Sequence, residues 1–344
     1  MNQKSTRRLR RSAKTVPLLL VLGLTLAACG GEGSKAAAAS CDDYPSKDIS
    51  LVVPYSAGGG FDAWARLMAP YMEKYLDGSA SIRVENVDGG GGMRAMNEIN
   101  AAKPDGTKLV FTEPGFPAVN QILGRTSGNF DIRKFTYIGQ TTVDPQVFAV
   151  ASDSGINSIK DLEGKSVKHA GQDISPIETI IYDTYGVKGE FILHDATSET
   201  ILALRRGDSD ITVSSLSSML EYLKTGELKP LLFIGTEEIT PELLGYDLLK
   251  DTETIAELGK PELGAVLEQY RVLAAPPNLP ECMTEVLSEA LSSTLEDDEF
   301  VAKAKKADLR VIPGGAEQTQ KRVSETYATF EKYSDALKRA IGGS

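Results

Sequence analysis

From Tyr44 onward the chain switches between two periodicities. Ile49 to Val53 is a short apolar run with the composition of a buried strand, and it stops at Pro54. Phe61 to Leu76 then carries Trp64, Leu67, Met68, Tyr71, Met72 and Tyr75 at the i, i+3, i+4, i+7 spacing of one buried helix face. The alternation continues with strands at Ile82–Val87 and Leu109–Thr112, a helix from Met93 to about Ala101, and a turn at Pro104-Asp105-Gly106. A second series begins with a strand at Val147–Ala151, a short helix at Ser158–Leu162 and a strand at Ser166–Ala170. Ser175-Pro176-Ile177-Glu178 places serine at N-cap, proline at N1 and glutamate at N3, a strong helix start; the helix runs to Tyr185 and stops at Gly186. Strands at Phe191–Leu193, Ile211–Val213 and Leu231–Ile234 alternate with helices at Ser198–Arg206 and Met219–Lys224. A strand at Arg271–Ala275 and two long polar helices, Pro280–Leu295 and Glu317–Leu337, close the chain.

Strands alternating with helices predict an α/β fold with mostly parallel sheets, helices on the faces, and sites at the strand C-termini. Two such units follow each other, and the second ends well before the chain does. The last helices are therefore free to return to the first unit. Two lobes joined by two crossovers suit a hinged clamp.

The N-terminus reads differently. Arg7, Arg8, Arg10, Arg11 and Lys14 form a basic region, and Val16–Ala28 is an apolar run too short to span a membrane comfortably. It ends in Leu26-Ala27-Ala28-Cys29, small residues before a cysteine, the pattern of a lipoprotein processing site. This predicts a lipoprotein signal peptide over residues 1–28, lipidation of Cys29 and a flexible tether over 29–43; an ordinary signal peptide ending near a cysteine is the alternative. The body is then exported and held by a lipid anchor on the outer face of a bacterial membrane, at the cell surface or in the periplasm. In an oxidising compartment the other two cysteines, Cys41 and Cys282, either pair or stay as two thiols. Two histidines far apart in sequence, His169 and His194, make a zinc site a poor expectation, and no metal is expected.

Charge narrows the function. The six basic residues of the first 28 leave the remainder with 31 basic against 48 acidic residues, a net charge near −17. Nucleic acid wants a basic face, so it is not an expected partner. The same field repels anions, so any anion site must be made locally.

The loops offer one way to make it. Gly58-Gly59-Gly60 stands between the first strand and the first helix, and Gly89-Gly90-Gly91-Gly92 between the second pair. No Lys-Ser or Lys-Thr follows the glycines, so this is not a P-loop, and neither G-x-G-x-x-G nor G-x-S-x-G is present there. With no nucleophile–base pair and no metal cluster, an enzyme is not expected. A helix N-terminus with bare backbone can instead cradle a carboxylate through its N–H groups. A plain tight turn is the alternative.

Pro54-Tyr55-Ser56-Ala57-Gly58-Gly59-Gly60-Phe61-Asp62 resembles the P-x-x-A-G-G-x-x-D opening of the solute receptors of tripartite tricarboxylate transporters, the Bug family. Val84 to Gly92 resembles their V-E-N-x-x-G-x-G-G stretch and Pro104-Asp105-Gly106-Thr107-Lys108-Leu109 their P-D-G-Y-T-L. Phe130-Asp131 with Phe135 to Gly139, Ile201 to Ile211, and Leu273 to Pro277 continue the likeness in order. The resemblance implies a type II periplasmic-binding-protein (Venus-flytrap) fold, with lobe 1 over 44–146 plus 270–344 and lobe 2 over 147–269. It implies a monomeric receptor, without cofactor, that closes on a small carboxylate (a di- or tricarboxylate, an acidic amino acid or an aromatic acid) and delivers it to membrane permease subunits. A sensory adaptor signalling to a membrane kinase with the same clamp is the second reading. Carried onto this chain, the first loop gives Ser56, Ala57, Gly58, Gly59 and Asp62 as ligand residues, and the second Gly90 and Gly91. The facing loop of lobe 2 gives Gly171, Gln172 and Ser175. Thr112 and Ser214 complete the expected set, with departures from the family at Arg94, a second carboxylate clamp or an exposed first-turn arginine, at Glu113, an acceptor for an ammonium, a partner of Arg94 or a solvent-facing group, and at Asp195, where a tyrosine is common.

Overall fold

The computed structural model describes residues 41, 44–76, 80–126, 130–171, 174–194, 197–236, 249–307 and 309–341. The signal peptide, Cys29, most of the tether, Gln172 and Asp195 lie outside the described residues.

The first series runs β1 (Ile49–Val53), α1 (Gly60–Tyr75), β2 (Ile82–Asn86), α2 (Met93–Ala101), β3 (Lys108–Thr112), α3 (Gly115–Ile122) and β4 (Thr136–Asp144). The second runs β5 (Gln146–Ala151), β6 (Ser166–Gly171), α4 (Pro176–Tyr185), β7 (Lys188–Leu193), α5 (Thr197–Arg206), β8 (Ile211–Ser215), α6 (Leu216–Lys224) and β9 (Leu228–Ile234). Then come α7 (Pro261–Leu267), β10 (Gln269–Ala275), α8 (Glu281–Glu296), α9 (Asp298–Lys306), α10 (Ala316–Lys332) and α11 (Ser334–Ile341).

The strands form two five-stranded sheets, β2-β1-β3-β10-β4 and β7-β6-β8-β5-β9. Only Pro145 separates β4 of the first sheet from β5 of the second, and the chain returns between β9 and β10. These are the two crossovers of a two-lobed fold. The sheets are mixed, not mostly parallel. β1 is parallel to β2 and β3, but β10 is antiparallel to both β3 and β4. Likewise β6 is parallel to β7 and β8, and β5 antiparallel to β8 and β9. The reason is topological: βαβ units give parallel neighbours, whereas the strands that carry the crossovers enter each sheet from the other lobe and run against it.

The apolar stripe of α1 does what its spacing predicts. Trp64, Met68 and Met72 close over Leu51 and Phe111, together with Leu287 and Leu291 of α8 and Phe300 of α9. The opposite face of that sheet, Val52, Val110 and Val272, packs on Met96 and Ile99 of α2 and on Val323 and Tyr327 of α10. Helices α8 and α10 thus return to the first sheet. The continuous helix expected over Glu317–Leu337 breaks at Tyr333, because α11 leaves the first sheet to pack on α4 and Arg339 reaches Asp183 at 2.6 Å.

Cys41 and Cys282 are bonded, Cα to Cα 6.1 Å, across 241 residues of sequence. Closing so long a loop restricts the unfolded chain. The Cys41→Ser/Cys282→Ser variant is expected to lose about 2–4 kcal/mol, read as a lower urea midpoint. An unchanged midpoint would show that the bond contributes no stability.

Candidate functional site

The two glycine loops of the first sheet are joined by side chains. Gly58, at φ +86°, donates its N–H to Asp62 Oδ2 at 2.9 Å. Asp62 Oδ1 accepts from Arg66 Nε at 2.9 Å, Arg66 Nη2 donates to Asn86 Oδ1 at 3.0 Å, and Asn86 Nδ2 donates to the Tyr55 carbonyl at 3.0 Å. The aspartate of the first motif and the asparagine of the second therefore meet through Arg66. The buried carboxylate of Asp62, expected at a ligand, braces the loop through Gly58 and Arg66. Arg66, and then the Gly58 N–H, hold that carboxyl at about 2. A lowered carboxyl pKa gives stability that is present above the ordinary aspartate range and lost as pH falls through the folded value. An NMR titration is expected to show the Gly58 amide and Asp62 carboxyl shifting with a midpoint near 2. A midpoint in the ordinary aspartate range would contradict the clasp.

The clasp leaves the end of α1 open. Gly59 is its N-cap, and no side chain caps it. Ala57, Gly58, Gly59 and Gly60 are exposed, and Ser56, also exposed, donates to Asp88 at 3.2 Å. The end of α2 is likewise without a side-chain cap, after Gly89, Gly90, Gly91 and Gly92, all in left-handed backbone. Any Cβ at Gly91 would stand 2.4 Å from the Phe116 ring. Glycine is needed here for conformation and for close packing. Arg94 is exposed on the first turn of α2.

A residue not expected from sequence stands at this end of α1. Arg271 of β10 donates from Nη1 to the Gly60 carbonyl at 3.1 Å and lies 4.4 Å over the Phe61 ring. Burial pushes its pKa down, and Asp144 is its nearby counter-charge. Asp144 accepts the backbone N–H and the hydroxyl of Ser217, at the start of α6 in the second lobe. Tyr55, hydrogen-bonded to buried Thr112, packs on Phe61 with ring centres 4.5 Å apart. Burial, with Glu113 nearby, pushes its phenol well up.

A cavity of about 310 Å³ opens between the lobes. Gln269, two residues before Arg271 and on the same face of β10, lines it. Of the expected residues it brings together Glu113, Gly171, Ser175 and Ser214. Ser56, Ala57, Gly58, Gly59, Asp62, Gly90, Gly91, Arg94 and Thr112 do not line it, although Phe116, which covers Gly91, does. Residues missed from sequence include Gln146, His169, Glu178 and Glu268. Gln146 and Gln269 each open a crossover strand, and a polar residue at the start of an otherwise buried strand is the signal that marks them.

The charged groups of the cavity are already engaged. Glu113 accepts the N–H groups of Gly115 and Phe116, at the start of α3. Glu178 accepts the N–H and hydroxyl of Ser175, and Ser175 Oγ accepts the Ile177 N–H, so the capping box predicted for α4 is formed. Glu268 is fully buried and pairs with Arg322 of α10 at 2.5 Å. Burial pushes the Glu268 carboxyl up in spite of Arg322. His169 lies 2.7 Å from the Tyr182 hydroxyl among Phe148 and Phe191, and burial pushes its pKa down to about 3. It is therefore neutral at ordinary pH.

Known proteins share this fold. Residues 64–337 match the model of a family described as the tripartite tricarboxylate transporter family receptor. A UPF0065 protein of Agrobacterium vitis is 25% identical over 79% of this chain and 78% of its own length. Among solved structures, a TctC solute binding protein from Polaromonas superposes with a TM-score of 0.72 at 20% identity, over 85% of this chain and 99% of its own. An R. palustris protein solved with adipate superposes with a TM-score of 0.65 at 22% identity, over 86% and 98%.

Proposed function

Because the chain belongs to the tripartite tricarboxylate transporter receptor family, we propose that it is an exported lipoprotein that captures a small carboxylate between its lobes and hands it to a membrane permease. The observation that carries this reading is the end of α1. A sixteen-residue helix presents its first turn with no side chain capping Gly59, beside the guanidinium of Arg271, whose strand reaches the interlobe cavity at Gln269. Such an end offers N–H donors and the positive end of the helix dipole to a carboxylate, in a protein whose overall charge would otherwise repel it. Lobe 1, built on 44–146 and 270–344, holds the anion. Lobe 2, built on 147–269, adds its contacts on closure, and the ligand shifts an open–closed equilibrium by fitting the closed form better. Binding is non-covalent and turns nothing over. Cys29 carries the anchor. The solved relative with adipate supports the ligand class.

A thermal-shift screen of the purified protein tests this, using mono-, di- and tricarboxylates, amino acids and aromatic acids. A ligand at 100 times its Kd stabilises the fold by about 2.7 kcal/mol, a clear shift. Protein refolded free of co-purified ligand that responds to no acid of the panel would overturn the proposal.

A further inference from the structure

We infer that His169 is a recognition residue of the second lobe, its Nε2–H donating to an oxygen acceptor, carboxylate or hydroxyl, at the end of the captured molecule that reaches that lobe. This role rests on the receptor reading and adds a contact to it.

His169 lies in β6, where side chains alternate between the two faces of the sheet. His169 and Gly171 line the cavity, and Ala170 between them does not. The imidazole therefore stands on the face of β6 that borders the cavity. It sits there in an aromatic nest, its centre 6.5 Å from the Phe148 ring, 5.7 Å from Tyr182 and 5.3 Å from Phe191. Only 1% of the residue is exposed. A phenylalanine would complete such a nest without polar atoms. An imidazole brings two nitrogens, and each needs a partner or carries a desolvation cost.

One nitrogen has its partner. Nδ1 lies 2.7 Å from the Tyr182 hydroxyl. Burial pushes the phenol well up and the imidazole down to about 3, so both are neutral at ordinary pH. A neutral phenol has one proton to donate, and among the described residues Nδ1 is the acceptor it meets. Were Nδ1 to carry the imidazole hydrogen, the buried Tyr182 proton would lose that acceptor. The bond thus fixes the tautomer: Nδ1 accepts and Nε2 carries the hydrogen. Nε2 has no hydrogen-bond partner among the described residues. A buried ring, its tautomer held by a buried phenol, therefore borders the cavity with one donor unused. The uncharged Gln146, Gln269 and Ser214 line the same cavity. An oxygen at the far end of a ligand would complete the imidazole's hydrogen bonding, and an apolar end would leave it unmet.

The test uses the purified full-length protein, refolded free of ligand. Calorimetry compares hexanoate, 6-hydroxyhexanoate and adipate, and the corresponding four- and five-carbon series. At the best-fitting length an acid with an oxygen at its far end is expected to bind roughly 10-fold tighter than the plain monocarboxylate. The tighter of the two tells whether the acceptor is a carboxylate or a hydroxyl. His169→Phe is expected to remove most of that preference and to leave the plain monocarboxylate nearly unchanged. An equal loss for all three acids, or no loss, would overturn the role. Nitrogen-15 NMR of the wild-type imidazoles decides if the variant fails to fold. The chain has two histidines, so His194→Gln assigns the signals. His169 is expected in the Nε2–H form at neutral pH, with Nε2 shifting when the tightest of these acids saturates the protein. The Nδ1–H form, or a signal unmoved at saturation, would overturn this role and leave the receptor reading intact. If neither these acids nor any other carboxylate binds ligand-free protein, the receptor reading fails and this one with it.

Discussion

Arg322→Ala is expected to destabilise the protein by about 3–5 kcal/mol, the cost of leaving a buried charge without its partner. Glu268 has a fully buried side chain and Arg322 one that is 13% exposed. The guanidinium also donates to the Ala265 carbonyl and to Gln140 and lies 4.2 Å over the Tyr270 ring. It ties α10 to the segment that leads into the return crossover. Truncation removes all of these contacts and strands Glu268, whose second partner is the Thr236 N–H at 2.6 Å. The loss has a sign in pH. A carboxyl whose folded pKa is raised is relieved by protonation, so the deficit is largest above the folded pKa and shrinks as pH falls through it. Urea midpoints of wild type and variant at neutral and mildly acidic pH measure both effects. A variant as stable as wild type at neutral pH would show that the pair carries no net stability. Arg322→Lys, which keeps the charge and loses the planar fork, is expected to fall between.

Gly59→Val is expected to weaken ligand binding about 100-fold or more, roughly 2.7 kcal/mol, while leaving the fold in place. Gly59 lies at φ −81° and ψ 173°, extended backbone that valine adopts readily. An added Cβ would meet nothing nearer than the Ser56 carbonyl at 3.7 Å. Only the weaker capping preference of valine tells against it, about 1 kcal/mol. The new side chain would stand at the mouth of the α1 end, between its N–H groups and any anion. Gly58 is the poorer probe, because its φ of +86° makes any substitution there strained as well as obstructive. Calorimetry with the best ligand of the screen, together with the ligand-free melting temperature, separates the two effects. Unchanged affinity in a folded variant would remove the cradle from the site.

Sequence alone carried a definite part of this picture. The stripe Trp64 to Tyr75, the capping box at Ser175 and Glu178 and the glycine stop at Gly186 are local signals, and each formed where its pattern placed it. Helix α3 carries Pro117 in its first turn, where a proline costs no hydrogen bond, and its eight residues are too few to show a helical period. The mixed sheets and the break at Tyr333 are tertiary effects. No local period records which way a crossover strand enters a sheet, or that α11 finds its partner on α4. The site shows the same division. The glycine loops were legible as loops, but Asp62 is tied to Gly58 and Arg66 by geometry that its position in a motif does not reveal. Arg271 approaches Gly60 across 211 residues of sequence. Gln146 and Gln269 meet at the cavity only because both crossover strands pass there.

The central claim is that one ligand is held by both lobes, its carboxylate on the open end of α1. A crystal structure of the protein with the strongest ligand of the screen tests this most directly. The account predicts a carboxylate within hydrogen-bond distance of the first N–H groups of α1, close to Arg271, with the other end of the molecule reaching the hydroxyls of Ser175 and Ser214. A ligand bound elsewhere, or one whose carboxylate sits on the second lobe with the α1 end unoccupied, would contradict it.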